Sequence, residues 1–247
     1  MNIHSYHQMI NLGINMHSML NWSRRTDDCV WMFRKICQTA TEAGADSINV
    51  YLQAKDAFLL DSLTQHVQEY GHFLQFSIEP QSIILDKILP LKPAHICLVG
   101  QQDERGNPNV VDVCRHFDIV QSCIAQLKAI GIATTVMIDG SARQMQASAK
   151  AGASCVRIHL APVERLADVD EGLLQQLQEM QRESILCGLL MHVHAESESL
   201  INAAAAIPGI EAVYTGDPVF RRAVFDGLHQ SVRHIKAGLI RSRLKGC

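Results

Sequence analysis

The chain has 247 residues, of which 47% are hydrophobic and 19% charged, and its formal net charge is −3. This length and composition suit a globular protein with one large α/β core, and the small negative charge argues against nucleic acid or an acidic membrane surface as a partner. No apolar run reaches the ~20 residues that span a bilayer, and the polar residues 1–8 are unlike a signal peptide.

Eight cysteines are scattered through the chain without a Cys-x-x-Cys pair. Several stand inside apolar runs, as Cys97 does between Ile96 and Leu98, and Cys155 does before Val156. Such positions are typical of buried free thiols rather than of a disulfide framework or a zinc ribbon. We therefore expect a cytoplasmic protein.

After an N-terminal arm, residues 1–9, the hydrophobic pattern predicts strands that alternate with helices. The predicted strands cover residues 9–17, 47–52, 72–78, 95–99, 133–139, 153–159, 185–194 and 209–215. The predicted helices cover residues 30–43, 55–70, a short stretch after Pro80, 110–130, 142–151, 163–182, 197–206 and 218–244. Residues 100–109, rich in glycine and charge, predict a long loop.

Two turns resemble each other, since Ala43-Gly44-Ala45 and Ala151-Gly152-Ala153 each end a helix at glycine and lead into a strand. Eight strands alternating with helices over this length are typical of a (β/α)8 TIM barrel, here with extra helices, as one domain over residues 1–247. The active site of such a barrel lies at the C-terminal ends of its strands. That rule places Asp139, Arg157 and His159 at the barrel mouth.

The seventh predicted strand ends with His192 and His194, which share one face of the strand. Histidine titrates near neutral pH and ligates metals, so we expect at least one of the two in the site; the alternative is a hydrogen-bonded core histidine. Strands seven, eight and one are neighbours in a closed barrel. His17, His192, His194 and Asp217 could therefore meet there as a zinc or iron site.

Short motifs follow one another at a characteristic spacing from Leu12 to about Lys236: Leu12-Gly13-Ile14-Asn15, Ala43-Gly44-Ala45-Asp46-Ser47-Ile48, Lys92-Pro93 with Cys97-Leu98-Val99, Ile138-Asp139, Ala151-Gly152-Ala153 with Ile158-His159, Ala205-Ala206-Ile207-Pro208 and Arg222-Ala223-Val224. In this order they resemble the pyridoxine 5′-phosphate synthase family. The resemblance implies a (β/α)8 barrel that forms a homo-oligomer and needs no metal. It implies condensation of 3-amino-2-oxopropyl phosphate with 1-deoxyxylulose 5-phosphate, with release of phosphate and water.

The resemblance also implies a catalytic histidine after strand two, a glutamate after strand three and a histidine after strand seven. His194 matches the last of these. Tyr51 replaces the first histidine, and Gln53 replaces an arginine two residues beyond it. Ser77 falls at the position of the glutamate, with Glu79 two residues further on.

Other positions of the family site differ as well. Asn15 is retained, whereas the Asp-His pair that ends strand one in the family falls at His17-Ser18. Ala195 replaces a glycine, and Gly216-Asp217 replaces Gly-His. We expect Asp217 to put a carboxylate where a phosphate would sit on the amides of the last helix; the alternative is a helix cap followed by proline.

These departures favour a diverged member of the family that acts by acid/base chemistry on a small polar metabolite, phosphorylated or not. We expect His194 to be the acid/base, with Tyr51 or Glu79 as its partner and no cofactor. The predicted substrate-binding residues are Asn15, His17, Gln53, Ser77, His159, Ala195, Gly216 and Asp217. Two alternatives are a zinc- or iron-dependent barrel enzyme and a paralogue that binds a metabolite without turnover.

Overall fold

Eight parallel strands form a closed barrel in sequence order, and the eighth strand pairs with the first. The computed structural model describes residues 10–16, 29–53, 73–80, 84–91, 93–102, 109–160 and 171–246. The strands are β1 (Asn11–Asn15), β2 (Ser47–Tyr51), β3 (Leu74–Ile78), β4 (His95–Leu98), β5 (Ala133–Ile138), β6 (Cys155–His159), β7 (Leu190–His194) and β8 (Ile210–Thr215). The predicted (β/α)8 barrel is confirmed.

The connection between β2 and β3 lies outside the described residues, and the described helices pack outside the barrel. They are α1 (Cys29–Glu42), α2 (Ile84–Ile88) with a 3-10 turn at Leu89–Leu91, α3 (Phe117–Ala129), α4 (Ala142–Lys150), α5 (Glu171–Leu186), α6 (Glu198–Ala206), α7 (Asp217–Asp226) and α8 (Leu228–Gly246). Within the described ranges, no helix is both long and apolar enough to cross a membrane.

The main apolar core lies between the strands and the helices. On β1, Leu12 and Ile14 face outward and join a buried cluster that includes Phe33 and Ile36 of α1. The alternate residues of β1, Gly13 and Asn15, face the barrel interior. This period of two places polar side chains inside the barrel and apolar ones outside it.

The lower interior of the barrel is closed by a tyrosine and an arginine. The Arg157 guanidinium carbon lies 3.4 Å from the centre of the Tyr214 ring. Gln75 Oε1 accepts hydrogen bonds from Arg157 Nη2 at 3.1 Å and from the Tyr214 hydroxyl at 2.8 Å. Gly13 provides the space for the ring, since a Cβ there would lie 2.3 Å from Tyr214. Arg157 is therefore a buried interior residue and not the mouth residue that the sequence predicted.

The predicted helix over residues 110–130 begins only at Phe117. The preceding backbone amides find other acceptors: Gln144 Oε1 accepts from Val113 at 2.8 Å and from Cys114 at 3.3 Å. These bonds hold an irregular segment against the first turn of α4. The prediction was wrong because a side chain about 30 residues away satisfies the backbone donors that a helix would use.

Two further boundaries differ from the prediction. Ile185 and Leu186 end α5 instead of starting strand seven, and they are 63% and 81% exposed. Gly188, with a φ of 69°, turns the chain into β7. The single helix predicted over residues 218–244 is two helices, since Gly227 has a φ of 77° and separates α7 from α8.

Several predictions fall outside the described residues. These are the N-terminal arm, His17, the helix over residues 55–70, the interior of the loop at 103–108 and residues 163–170 of the helix predicted over 163–182. The ends of that loop are described: the amide of Gly100 donates to the carbonyl of Asn109 at 2.7 Å in an isolated antiparallel bridge.

Candidate active site

Two histidines and a glutamate form a hydrogen-bonded row at the mouth of the barrel. His159 ends β6 and His194 ends β7, and parallel register places them side by side. Their Nδ1 atoms are 3.0 Å apart, and His194 Nε2 lies 2.7 Å from Glu196 Oε1. When Nε2 of a neutral His194 donates to the carboxylate, its Nδ1 accepts from His159. The row can therefore pass a proton along its length.

The Glu196 carboxylate also lies on the N-terminus of α7. It accepts from the amide of Asp217 at 2.9 Å, from the amide of Gly216 at 3.1 and 3.2 Å, and from the Thr215 hydroxyl at 3.3 Å. Burial alone would raise the pKa of Glu196, but the hydrogen bond and charge of His194 and the two amides hold it below its usual range. Glu196 is therefore a carboxylate held in place by several donors.

This arrangement corrects the prediction for Asp217. The expected carboxylate lies on the amides of the helix, but it belongs to Glu196, whereas the Asp217 side chain is exposed and its backbone amide donates to Glu196. Glu196 was not among the predicted site residues, although Ala195 before it and a helix beginning at residue 197 were both predicted. The signal was present, since Glu196 lies two residues beyond His194 and continues the same face of the strand.

Tyr51 and Glu79 form a second pair. The Tyr51 hydroxyl donates to Glu79 Oε1 at 3.2 Å and accepts from Gln53 Nε2 at 3.3 Å. Tyr51 is buried at the end of β2, and Glu79 directly follows β3. The structure thus pairs Tyr51 and Glu79 with each other, whereas the hydrogen bonds of His194 go to His159 and Glu196.

A polar chain joins the ends of the first three strands. Asn49 Nδ2 donates to Asn15 Oδ1, and the Ser77 hydroxyl donates to Asn49 Oδ1, both at 2.9 Å. Asn15 and Ser77 were predicted to bind substrate, but Asn49, which links them, was missed. It lies two residues before Tyr51 on the inward face of β2, so the same period of two would have identified it.

His192 lies deeper in the barrel than His194. Its ring centre is 5.6 Å from that of Tyr214 and 6.5 Å from that of His95, and its Nδ1 has no hydrogen-bond partner among the described residues. Burial lowers the pKa of His192 well below its usual value, and the charges of Arg157 and His95 lower it further. This histidine is held neutral in the barrel interior.

The metal alternative involves His17, which is not described. Among the residues whose positions are given, no three His, Cys, Asp or Glu side chains are grouped so that they could hold a metal ion. Both ring nitrogens of His194 are already engaged by His159 and Glu196.

A cavity of about 620 Å³ opens beside Glu79 at the same end of the barrel. It lies between the ends of β3 and β4 and the irregular segment before α3. The residues that line it are Glu79, Pro80, Val99, Gly100, Gln101, Val110, Val111, Asp112, Arg115, His116 and Ile119. A small polar metabolite would fit in this volume.

Residues 12–241 match the family model described as pyridoxal phosphate biosynthesis protein PdxJ. The chain belongs to the PdxJ family. It is similar to pyridoxine 5′-phosphate synthase of Caulobacter sp. (strain K31), with 26% identity over 248 residues that cover 96% of this chain and 99% of the relative. The chain is therefore a barrel of the pyridoxine 5′-phosphate synthase type.

Solved structures outside the PdxJ family share the fold. The 3-keto-L-gulonate-6-phosphate decarboxylase from Vibrio cholerae O1 biovar El Tor str. N16961 matches with a TM-score of 0.60 and 12% identity, over 94% of this chain and 97% of that one. A tryptophan synthase from M. tuberculosis, in an open form, matches with a TM-score of 0.60 and 10% identity, over 97% of this chain and 95% of that one. At these identities the likeness shows only that this PdxJ-family chain shares their barrel.

Proposed function

We propose that this PdxJ-family chain is a diverged enzyme that acts by acid/base chemistry on a small polar metabolite at the barrel mouth. The row formed by Glu196, His194 and His159 carries the proposal, with hydrogen-bonding distances of 2.7 and 3.0 Å. General acid/base catalysis requires a titratable group whose orientation a neighbour fixes. Glu196 supplies that orientation, and its charge stabilises the imidazolium that forms when His194 takes up a proton.

In this proposal, His194 holds the proton and His159 relays it. His194 is buried with both ring nitrogens engaged, whereas His159 is the more exposed of the two rings. A proton taken from a substrate C–H or O–H group passes to the imidazole pair and returns to the product at a later step. Tyr51 and Glu79 form the second acid/base pair, since the hydroxyl already donates to the carboxylate.

The polar chain of Asn15, Asn49 and Ser77 orients the substrate. Its amide and hydroxyl groups are fixed by their mutual hydrogen bonds, so remaining donors and acceptors point in defined directions. Following the family resemblance, we also propose that the protein is a cytoplasmic homo-oligomer that works without a cofactor.

Three substitutions support a substrate different from that of the family reaction. Tyr51, Gln53 and Ser77 stand where the resemblance implies histidine, arginine and glutamate. The loss of an arginine removes a planar donor that holds phosphate through two hydrogen bonds. Gln53 instead donates to the Tyr51 hydroxyl.

The test is turnover of a panel of small polar metabolites, with and without phosphate, that includes the two substrates of the family reaction. We expect the wild-type protein to convert at least one of them and His194→Gln to lose about 10²- to 10⁴-fold in kcat. The matched control is His234→Gln, since His234 also faces a glutamate, Glu198 at 3.3 Å, but on the outer surface. That variant should retain wild-type turnover.

Two outcomes would contradict the proposal. Unchanged turnover by His194→Gln would remove this residue from the chemistry. Ligand binding without turnover by the wild type would favour the non-catalytic alternative. Elemental analysis of untagged protein tests the metal alternative directly, because one equivalent of zinc or iron per chain would favour it.

A further inference from the structure

The N-terminus of α7 already holds an anion that belongs to the chain. We call the backbone amides of Gly216 and Asp217 the amide cradle. Both amides donate to the Glu196 carboxylate, at 2.9 to 3.2 Å. In barrels of this kind, the loops after strands seven and eight and the N-terminus of a following helix commonly form a phosphate site. Here a carboxylate occupies that position.

Glu196 turns inward, unlike the residues that follow it. The next residue, Ser197, caps α6 by accepting from the Leu200 amide at 3.3 Å. Glu198 forms surface pairs with Arg222 at 3.5 Å and with His234 at 3.3 Å. The Glu196 side chain is only 22% exposed. Glu196 is therefore turned toward the barrel mouth, whereas the neighbouring acidic residue Glu198 lies on the outer surface.

The corner around the cradle fits closely. A Cβ at Gly216 would lie 2.6 Å from the backbone oxygen of Asn15, so a larger residue at position 216 would displace β1. Arg221 Nη2 donates to the backbone oxygen of Glu196 at 3.2 Å and fixes the segment from the other side. The close approach of β1 to Gly216 and the hydrogen bond from Arg221 thus fix the backbone around the Glu196 carboxylate.

We propose that Glu196 is a specificity-determining residue: its carboxylate fills the amide cradle and excludes a phosphate group, so the substrate presents a neutral or cationic group on this side of the mouth. A phosphate could reach the two amides only by displacing the Glu196 carboxylate or by lying beside it. Lying beside it brings two negative charges together, which is unfavourable. The statement about the substrate rests on the proposed function. The statement about the cradle does not, because it can be tested without a substrate.

The experiment measures binding of inorganic phosphate at pH 7.5 by isothermal titration calorimetry. We expect no saturable binding by the wild type in the millimolar range. Glu196→Ala should bind phosphate with a Kd at least about tenfold below the lower limit measured for the wild type. The reason is that the amides and His194 then become available to the anion. The control Glu198→Ala removes a neighbouring carboxylate that does not touch the amides, and it should behave as the wild type does.

Two results would overturn the inference: saturable phosphate binding by the wild type, or no gain of affinity in Glu196→Ala. Circular dichroism and thermal melting check the fold. Glu196→Ser serves if the alanine variant does not fold, because its short, neutral side chain also leaves the two amides to the anion, and it must show a gain in the same direction.

The experiment distinguishes a failure of the inference about the amide cradle from a failure of the proposed acid/base function. A gain of phosphate binding by Glu196→Ala, together with a wild type that turns over nothing, would leave the filled cradle standing and remove the acid/base proposal. Turnover of a substrate whose phosphate is seen on the amides of Gly216 and Asp217 in the wild type would do the reverse.

Discussion

Acid should destabilise this barrel through the histidines in its interior, and His95 allows the effect to be estimated. His95 lies on β4 with its Nε2 atom 2.5 Å from the Thr135 hydroxyl oxygen. Burial, and to a lesser extent the charge of Arg157, lower the pKa of His95 from 6.5 to about 4. The folded protein therefore holds this ring neutral at a pH where the unfolded chain protonates it.

The direction and size of the change in the free energy of unfolding follow from the difference in proton binding between the folded and unfolded states. Below pH 6.5 the unfolded state binds the extra proton, so the free energy of unfolding falls with pH until the folded ring also titrates near pH 4. The difference between a pKa of 6.5 in the unfolded chain and about 4 in the folded protein corresponds to about 3 kcal/mol of the free energy of unfolding, of which about 2 kcal/mol is lost by pH 5. His192 acts in the same direction, because burial and Arg157 also lower its pKa.

The assay is urea unfolding of the wild type and of His95→Gln at pH values from 8 to 5. Over that range the wild type should lose about 2 kcal/mol more than the variant, whatever the difference between them at pH 8. His234→Gln, which removes a histidine whose side chain is 40% exposed, is the control and should follow the wild type. Parallel curves for the wild type and His95→Gln would refute the reasoning.

Three substitutions test other features. Ser197→Ala removes the acceptor for the Leu200 amide and should lower the free energy of unfolding by about 1 kcal/mol in urea. Gly227→Ala places a side chain at a φ of 77° and should cost about 1–3 kcal/mol, seen as a lower melting temperature. Tyr51→Phe removes the donor to Glu79 and should reduce kcat about 10²-fold with an unchanged circular dichroism spectrum. Wild-type unfolding curves for the first two variants, or wild-type turnover for the third, would contradict these assignments.

The barrel could be predicted because its signal is local and repeated. Leu12 and Ile14 alternate with Gly13 and Asn15, and each strand carries a similar period of two between helices. The errors occurred where distant contacts decide the structure. Residues 110–116 contain valines at a helical spacing, yet their amides bond to a side chain of α4.

In the candidate site, too, positions set by the local pattern were predicted, and positions set by distant contacts were not. Strand ends placed His194, Tyr51 and Asn15 correctly at the mouth, because neighbouring parallel strands end at the same face. Glu196 could not be assigned its role from sequence alone, since its partners are amides 20 and 21 residues away that only the folded corner brings into reach. Arg157 was misplaced because a charged side chain is rarely expected inside a barrel.

The packing of Tyr214 against Arg157 limits the routes by which a small molecule can enter the barrel. Both side chains are almost fully buried, and Gly13 leaves its space to the ring. A metabolite cannot travel along the barrel axis past this plug. In the proposed reaction, substrate and product would therefore both pass through the open C-terminal end of the barrel, one molecule at a time.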